Sequence, residues 1–149
     1  MTDARPPHLR WAAIGLVVVG GMAGSAARAG LTLAIPTVAG VPIAIALVNI
    51  VGAFVLGCLY SLLAHRSPAD ASAVRIRLLL GTGFCGGFTT YSALANDTVV
   101  LAVNGGLGAA TLYAFGTLLV GGLATWAGIV AGTASDGSRR RTGRGGEAA

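Results

Sequence analysis

Lysine is absent from this 149-residue chain and carboxylates are scarce: all ten basic side chains are arginine, five acids oppose them, and the net charge is +5. Charged residues make up 10% of the sequence, whereas a soluble domain is nearer one quarter charged, so a water-soluble globular fold is excluded. The acids are Asp3, Asp70, Asp97, Asp136 and Glu147. They form no carboxylate pair, and there is no Ser-His-Asp set, so the chain reads as something other than an enzyme. A proton-coupled multidrug exporter needs an ionisable group inside a span to exchange protons for drug, and the first span has no such carboxylate. Cysteine is equally rare. Cys58 and Cys85 fall in apolar segments with no ligand spacing to each other, to His8 or to His65. That excludes a disulfide framework and leaves two small buried residues.

Apolar residues are what the sequence does have, 54% of it, with a mean hydropathy of +0.78. The expected fold is an all-α membrane protein with four transmembrane helices in one domain, 11–134. It is flanked by a short cytoplasmic tail, 1–10, and a basic disordered cytoplasmic tail, 135–149, too rich in Ser, Gly and Arg to bury a core. The first span runs from Trp11 to about Ile35 and carries Gly20-x-x-x-Gly24, which lets another backbone approach closely. Arg5, Arg10 and the small residues around Arg28 give it the look of a signal peptide. Removing it would leave three spans, so it is expected to stay. The second span covers Val41 to about Ala64, with Asn49 as its one strongly polar side chain. An amide in hydrocarbon costs free energy unless paired, so Asn49 must face protein or water. A polar loop, 65–77, follows, in which His65 and Asp70 are read as solvated. The third span extends from about Val74 to Val103, and the fourth from Leu107 to about Gly132, with Tyr113 and Thr117 one turn apart on a shared face.

The third span is the informative one. In Gly81–Thr98, GTGFCGGFTTYSALANDT, Gly83, Gly86 and Gly87 interrupt the helix pattern and four hydroxyls follow at Thr89, Thr90, Tyr91 and Ser92. At 1.5 Å per residue the span is too long for one straight crossing, so two half-helices broken near Gly86–Thr89 are predicted. Backbone freed at membrane depth is tolerated only where it is buried in protein or lines a wet cavity, which makes the break a candidate ion or substrate site. Within the spans the polar inventory is neutral: Asn49, Thr89, Thr90, Tyr91, Ser92, Tyr113 and Thr117. Such donors can replace part of the hydration of a small anion without trapping it. Carbonyls released at the break suit a hard cation such as sodium.

With an even number of crossings, both tails and the 65–77 loop share one side. That side holds Arg5, Arg10, Arg66, Arg75, Arg77, Arg139, Arg140, Arg141 and Arg144, and the opposite side holds Arg28 alone. The positive-inside rule then predicts N-terminus and C-terminus in the cytoplasm of a cell-membrane protein. The arginine excess thus speaks of topology and lipid, and no nucleic-acid partner is expected. Arg28 itself is read either as an interfacial anchor or as a positive charge at the mouth of an anion path.

Three motifs, Gly21-x-x-Gly24-x-x-x-Arg28, Asn49-x-x-Gly52-x-Phe54-x-x-Gly57 and Gly81-x-Gly83-Phe84-Cys85-Gly86-Gly87-x-Thr89-Thr90-Tyr91-Ser92, resemble the fluoride channel family called Fluc or CrcB. The resemblance covers all four spans in order. It implies an antiparallel dimer of four-span subunits, passive fluoride export along the subunit interface, and a central structural sodium ion held by backbone carbonyls. Carried over by position, Gly86 and Thr89 match the sodium-binding carbonyls and Asn49 the pore asparagine. Ser92 and Tyr113 match the polar track and Arg28 the vestibule arginine, while Thr117 joins the track by helical spacing.

The chain departs from that family in two places. The family pattern T-T-F-S-T-F supplies two phenylalanine ring edges to the anion, and edges carry the positive part of the aromatic quadrupole. Here Tyr91 keeps one ring and Leu94 has none, and Asp97 stands in for the acid that often follows. The second departure is the arginine bias, since a homodimer inserted both ways needs almost none. Together they predict one half of a heterodimer, whose partner is a paralogous four-span subunit inserted the other way. The remaining readings are a homodimer, a non-conducting structural partner subunit, and a small-solute membrane transporter.

Overall fold

The computed structural model describes residues 11–67 and 69–144, with side chains of 135–144 left aside. Helix α1 spans Trp11–Ala34 and α2 spans Ile43–Leu63. A short α3, Ala71–Ile76, runs into a π-helical stretch, Arg77–Cys85, and on into one α-helical turn, α4, Gly86–Phe88. Helix α5 follows at Tyr91–Gly105 and α6 at Leu107–Arg144. Three of these helices, Trp11–Ala34, Ile43–Leu63 and the part Leu107–Ala134 of α6, are long and apolar enough to cross a membrane. Their outward faces carry large apolar side chains such as Trp11, Met22, Leu112, Phe115 and Trp126, all well over half exposed. A coat of that extent is what hydrocarbon, not water, covers.

The segment predicted as the third span has no helix of comparable length, because it is divided. Helix geometry holds through Gly83, Gly86 and Gly87 and fails at Thr89 (φ −79°, ψ 155°) and Thr90 (φ −151°, ψ 119°), which are extended. The break thus falls at two β-branched residues after the glycines. The glycines serve packing: a side chain on Gly87 would strike the backbone of Gly21, and one on Gly83 would lie 2.9 Å from the Val17 carbonyl. At the far end only Gly106 breaks the chain, at φ 86°, and α6 begins at once with Leu107. Gly105 still belongs to α5, so the turn between the two helices is the single residue Gly106.

Two pairs of helices are built on this small-residue contact. The π-helix lies along α1 with Gly20 and Gly24 facing its backbone, as expected from the Gly-x-x-x-Gly spacing. Helix α2 lies along α6, where Gly128 faces the backbone of Phe54 and Cys58. Ser61 Oγ donates to Ile129 O at 3.0 Å across the same seam. Helix α5 packs on α6, so the broken segment passes from the α1 side of the bundle to the α6 side. The apolar core between α2, α5 and α6 contains Ile45, Leu94, Leu101, Ala110 and Tyr113.

Two boundaries differ from expectation. Helix α6 is continuous to Arg144, past the predicted end of the membrane domain, because an already nucleated helix gains a hydrogen bond with each added residue, even across poor formers such as Gly137. The 1–10 tail and residues 145–149 lie outside the described residues. The predicted 65–77 loop is helical from Ala71, owing to a cap that the sequence reading left as a solvated acid. Asp70 Oδ1 accepts from Ser72 N at 2.9 Å and from Ala73 N at 3.3 Å, and Oδ2 meets Arg66 Nη1 at 3.3 Å. The two backbone N–H groups, helped by Arg66, hold the Asp70 carboxyl below the ordinary aspartate range. A depressed carboxyl contributes its stabilisation above the unfolded pKa and loses it as the pH falls through the folded one. Acidification below pH ~4 should therefore lower the protection of the Ser72 and Ala73 amides against exchange, relative to their intrinsic rates at the same pH, and Asp70→Asn, which keeps a capping oxygen, should remove that pH dependence.

Candidate functional site

An extended dipeptide inside a helix leaves N–H and C=O groups without partners, and their reassignment builds the site. The Thr90 N–H donates to Asn49 Oδ1 at 2.8 Å, and Asn49 Nδ2 donates to Thr90 O at 3.0 Å. One amide from α2 therefore clamps both polar groups of the same peptide residue, which satisfies its need for partners and keeps one N–H in reserve. The Thr90 hydroxyl accepts from Ala93 N at 3.3 Å as the N-cap of α5, and it pairs with Ser92 Oγ at 3.2 Å. Two hydroxyls joined by one hydrogen bond retain one spare O–H between them.

These diversions free two carbonyls. In an unbroken helix the Thr90 N–H would close on Gly86 O and the Ala93 N–H on Thr89 O, but Asn49 and the Thr90 hydroxyl take those donors. Two of the neighbouring carbonyls, Cys85 O and Gly87 O, have taken other donors. Cys85 O accepts Thr89 N at 2.9 Å and Thr89 Oγ1 at 2.8 Å. Gly87 O accepts Arg28 Nε at 3.1 Å and Ser25 Oγ at 3.3 Å. Gly86 and Thr89, the two positions assigned by resemblance to sodium, are thus deprived of their helical donors, and hard carbonyl oxygen is suitable chemistry for such an ion.

Beside the break an open cavity of about 540 Å³ lies between α2, the π-helix and α6. Its wall brings together Asn49, Gly86, Thr89, Tyr91 and Thr117, five of the eight residues singled out from sequence, and adds Leu94. Tyr91 is 80% exposed at the mouth, while Leu94 is 5% exposed and belongs to the core. Ser92, Tyr113 and Arg28 do not line the cavity. Thr117 Oγ1 donates to Tyr113 O at 2.7 Å, so its lone pairs, not its proton, are free for the cavity unless the hydroxyl turns. Tyr113 is buried, and its single phenolic proton lies between Pro42 O at 3.2 Å and Asp97 Oδ2 at 3.3 Å. Sequence reasoning left Thr82 and Thr125 out of the wall. Thr125 stands eight residues, about two helical turns, beyond Thr117, a spacing that marks the same face.

An open recess carrying an amide and several hydroxyls beside a broken helix, among described residues that are mostly helical with an apolar exterior, defines an integral membrane protein with a candidate site at the break. The chain belongs to the CrcB-like protein, Camphor Resistance (CrcB) family, whose profile matches residues 15–129. It is 47% identical over 129 residues to the "Fluoride-specific ion channel FluC 2" of Leifsonia xyli subsp. xyli, covering 87% of this chain and 89% of that relative. It is 45% identical over 124 residues to the "Fluoride-specific ion channel FluC" of Gloeobacter violaceus, covering 80% and 94%. To the protein of the same name from Prosthecochloris aestuarii it is 42% identical over 115 residues, covering 76% and 87%.

Proposed function

We propose that this chain is a subunit of a fluoride-selective ion channel through which fluoride leaves the cytoplasm passively. The carrying observation is the break at Thr89–Thr90, where spare neutral donors from Asn49 and the Thr90–Ser92 pair stand beside a cavity. Relatives named as fluoride-specific channels, similar over most of their length, support the choice of anion. A neutral N–H or O–H replaces part of the hydration of an anion and lets it go again, which conduction requires. The path runs past Asn49, the Tyr91 ring, Ser92 and Thr117, with Tyr113 behind them. As a channel the protein performs no covalent step and is not an enzyme.

Four crossings complete the reading, with segment 71–105 as the broken third. The nine-to-one arginine distribution then puts both termini in the cytoplasm. A chain with so strong a bias pairs with a separate four-span subunit inserted the other way, and membrane lipid surrounds the pair. The Gly86 and Thr89 carbonyls would hold a structural sodium ion, whose positive charge would lower the cost of a dehydrated anion nearby. A second reading rests on Leu94: its burial among Ile45, Leu101 and Tyr113 puts an aliphatic core residue where the family pattern has a ring, which suits a non-conducting structural partner.

The test is fluoride efflux from liposomes containing the chain alone and then with a partner bearing both phenylalanines, with chloride as the control anion. Fluoride efflux only from the mixed liposomes is the expected result. Flux that survives silencing of this chain's Asn49 but not of the partner's pore would select the structural-partner reading. Silence in both preparations would overturn the channel and return the small-solute transporter.

A further inference from the structure

Arg28, expected either as an interfacial anchor or as a charge at the mouth of an anion path, commits its Nε–H to a backbone carbonyl. Ser25 Oγ and Arg28 Nε, three residues apart on α1, converge on Gly87 O at 3.3 Å and 3.1 Å. Immediately before them, Gly20, Gly21 and Gly24 hold the α1 backbone against the π-helix and α4 so closely that a side chain on Gly24 would strike Phe84 O. The helix face that grips the half-helix therefore ends in two donors aimed at its last turn. In an unbroken helix Gly87 O would be closed by the N–H of Tyr91, which here opens α5 beyond the extended pair.

We infer that Ser25 and Arg28 are positioning residues: by holding the Gly87 carbonyl on the α1 side they fix the end of the half-helix and with it the neighbouring Gly86 and Thr89 carbonyls. The carbonyls on either side of Gly86 support this. Cys85 O and Gly87 O are bonded and Thr90 O is held by Asn49, while Gly86 and Thr89 have lost their helical donors. A charged donor suits the task, because a hydrogen bond from an ionised group is about twice as strong as a neutral one. In this role the arginine acts through its Nε–H, with its charge secondary. The inference rests on the sodium reading given above for what those carbonyls hold, but the positioning itself does not.

Glutamine separates the two roles, since its amide nitrogen stands at the same number of bonds from the backbone as arginine Nε and carries no charge; methionine has the length and neither donor nor charge. Two readouts are taken on the purified full-length protein: hydrogen–deuterium exchange of the Thr89–Tyr91 amides, and the sodium concentration that half-maximally raises the unfolding temperature. Arg28→Gln, which keeps a neutral and weaker donor, should shift both only slightly. Arg28→Met should exchange faster at the break and need about tenfold more sodium, the scale of one lost charge-assisted hydrogen bond. Ser25→Ala should shift both in the same direction by less, and it serves if Arg28→Met fails to fold. Glutamine and methionine variants that behave alike, whether both altered or both unaltered, overturn the inference. No sodium response in the unsubstituted protein would defeat the sodium reading, and the exchange rates would still decide the positioning role.

Discussion

Asn49→Asp should abolish fluoride efflux from liposomes while leaving the helical content and the elution profile of the purified protein unchanged. The substitution keeps Oδ1 to accept from Thr90 N–H, so half of the clamp survives. What it removes is the Nδ2 donor to Thr90 O and the spare N–H beside the cavity, and it installs a carboxylate in their place. A fixed negative charge ~4 Å from a passing anion costs about 4 kcal/mol at an effective dielectric near 20, which corresponds to roughly three orders of magnitude in flux. Asn49→Ser gives the complementary result. A hydroxyl retains a neutral donor but is too short to clamp Thr90, so flux should fall less and amide exchange at Thr90 should rise more. Undiminished flux in the aspartate variant would take Asn49 out of the path and leave it as a pure helix clamp.

Much of the site was legible before any coordinates, and the reason is that a broken membrane helix is costly to hide. Four hydroxyls in a row after Gly86 and Gly87, between two apolar flanks, announced freed backbone near membrane depth. The lone amide in α2 had to face protein or water, and Asn49 meets Thr90. The Gly20 and Gly24 spacing announced close backbone contact and delivered it against the π-helix. Which two residues are extended was not legible, because glycine marks a close approach and a break with the same letter, and here it marks the approach. Nor did the sequence tell where Arg28 points. An arginine near a span end has several ways to settle its charge, and the chosen one depends on where α4 passes. Asp70 read as a solvated loop acid because a capping side chain differs from a solvated one only in the chain direction that follows it. The commitment of the Thr117 proton to Tyr113 O was also hidden, since helical spacing places a hydroxyl on a face without saying which way its hydrogen turns.

The same Gly→Ala substitution at two points of α1 should change stability in opposite directions. At Gly30 nothing stands within 4 Å of the added methyl, so alanine should stabilise the helix by about 0.5–1 kcal/mol through the backbone freedom it removes from the unfolded chain. At Gly24 the methyl would meet Phe84 O and lie 2.8 Å from Phe88 N, both backbone atoms that cannot rotate aside. The two helices must then separate, and overpacking of this kind costs about 1–3 kcal/mol or more. In a bilayer the loss is not recovered by apolar burial, because lipid is as good a neighbour as the π-helix for everything except close van der Waals fit. Thermal unfolding in detergent, read side by side for the two variants, checks the contrast. Gly24→Ala should also weaken function before it unfolds the protein, because moving α1 outward carries Ser25 and Arg28 away from Gly87 O and loosens the half-helix end beside the cavity. Equal stability in the two variants would mean that α1 does not bear on the π-helix in the membrane, and the carbonyl arrangement at the break would then lose its outer support.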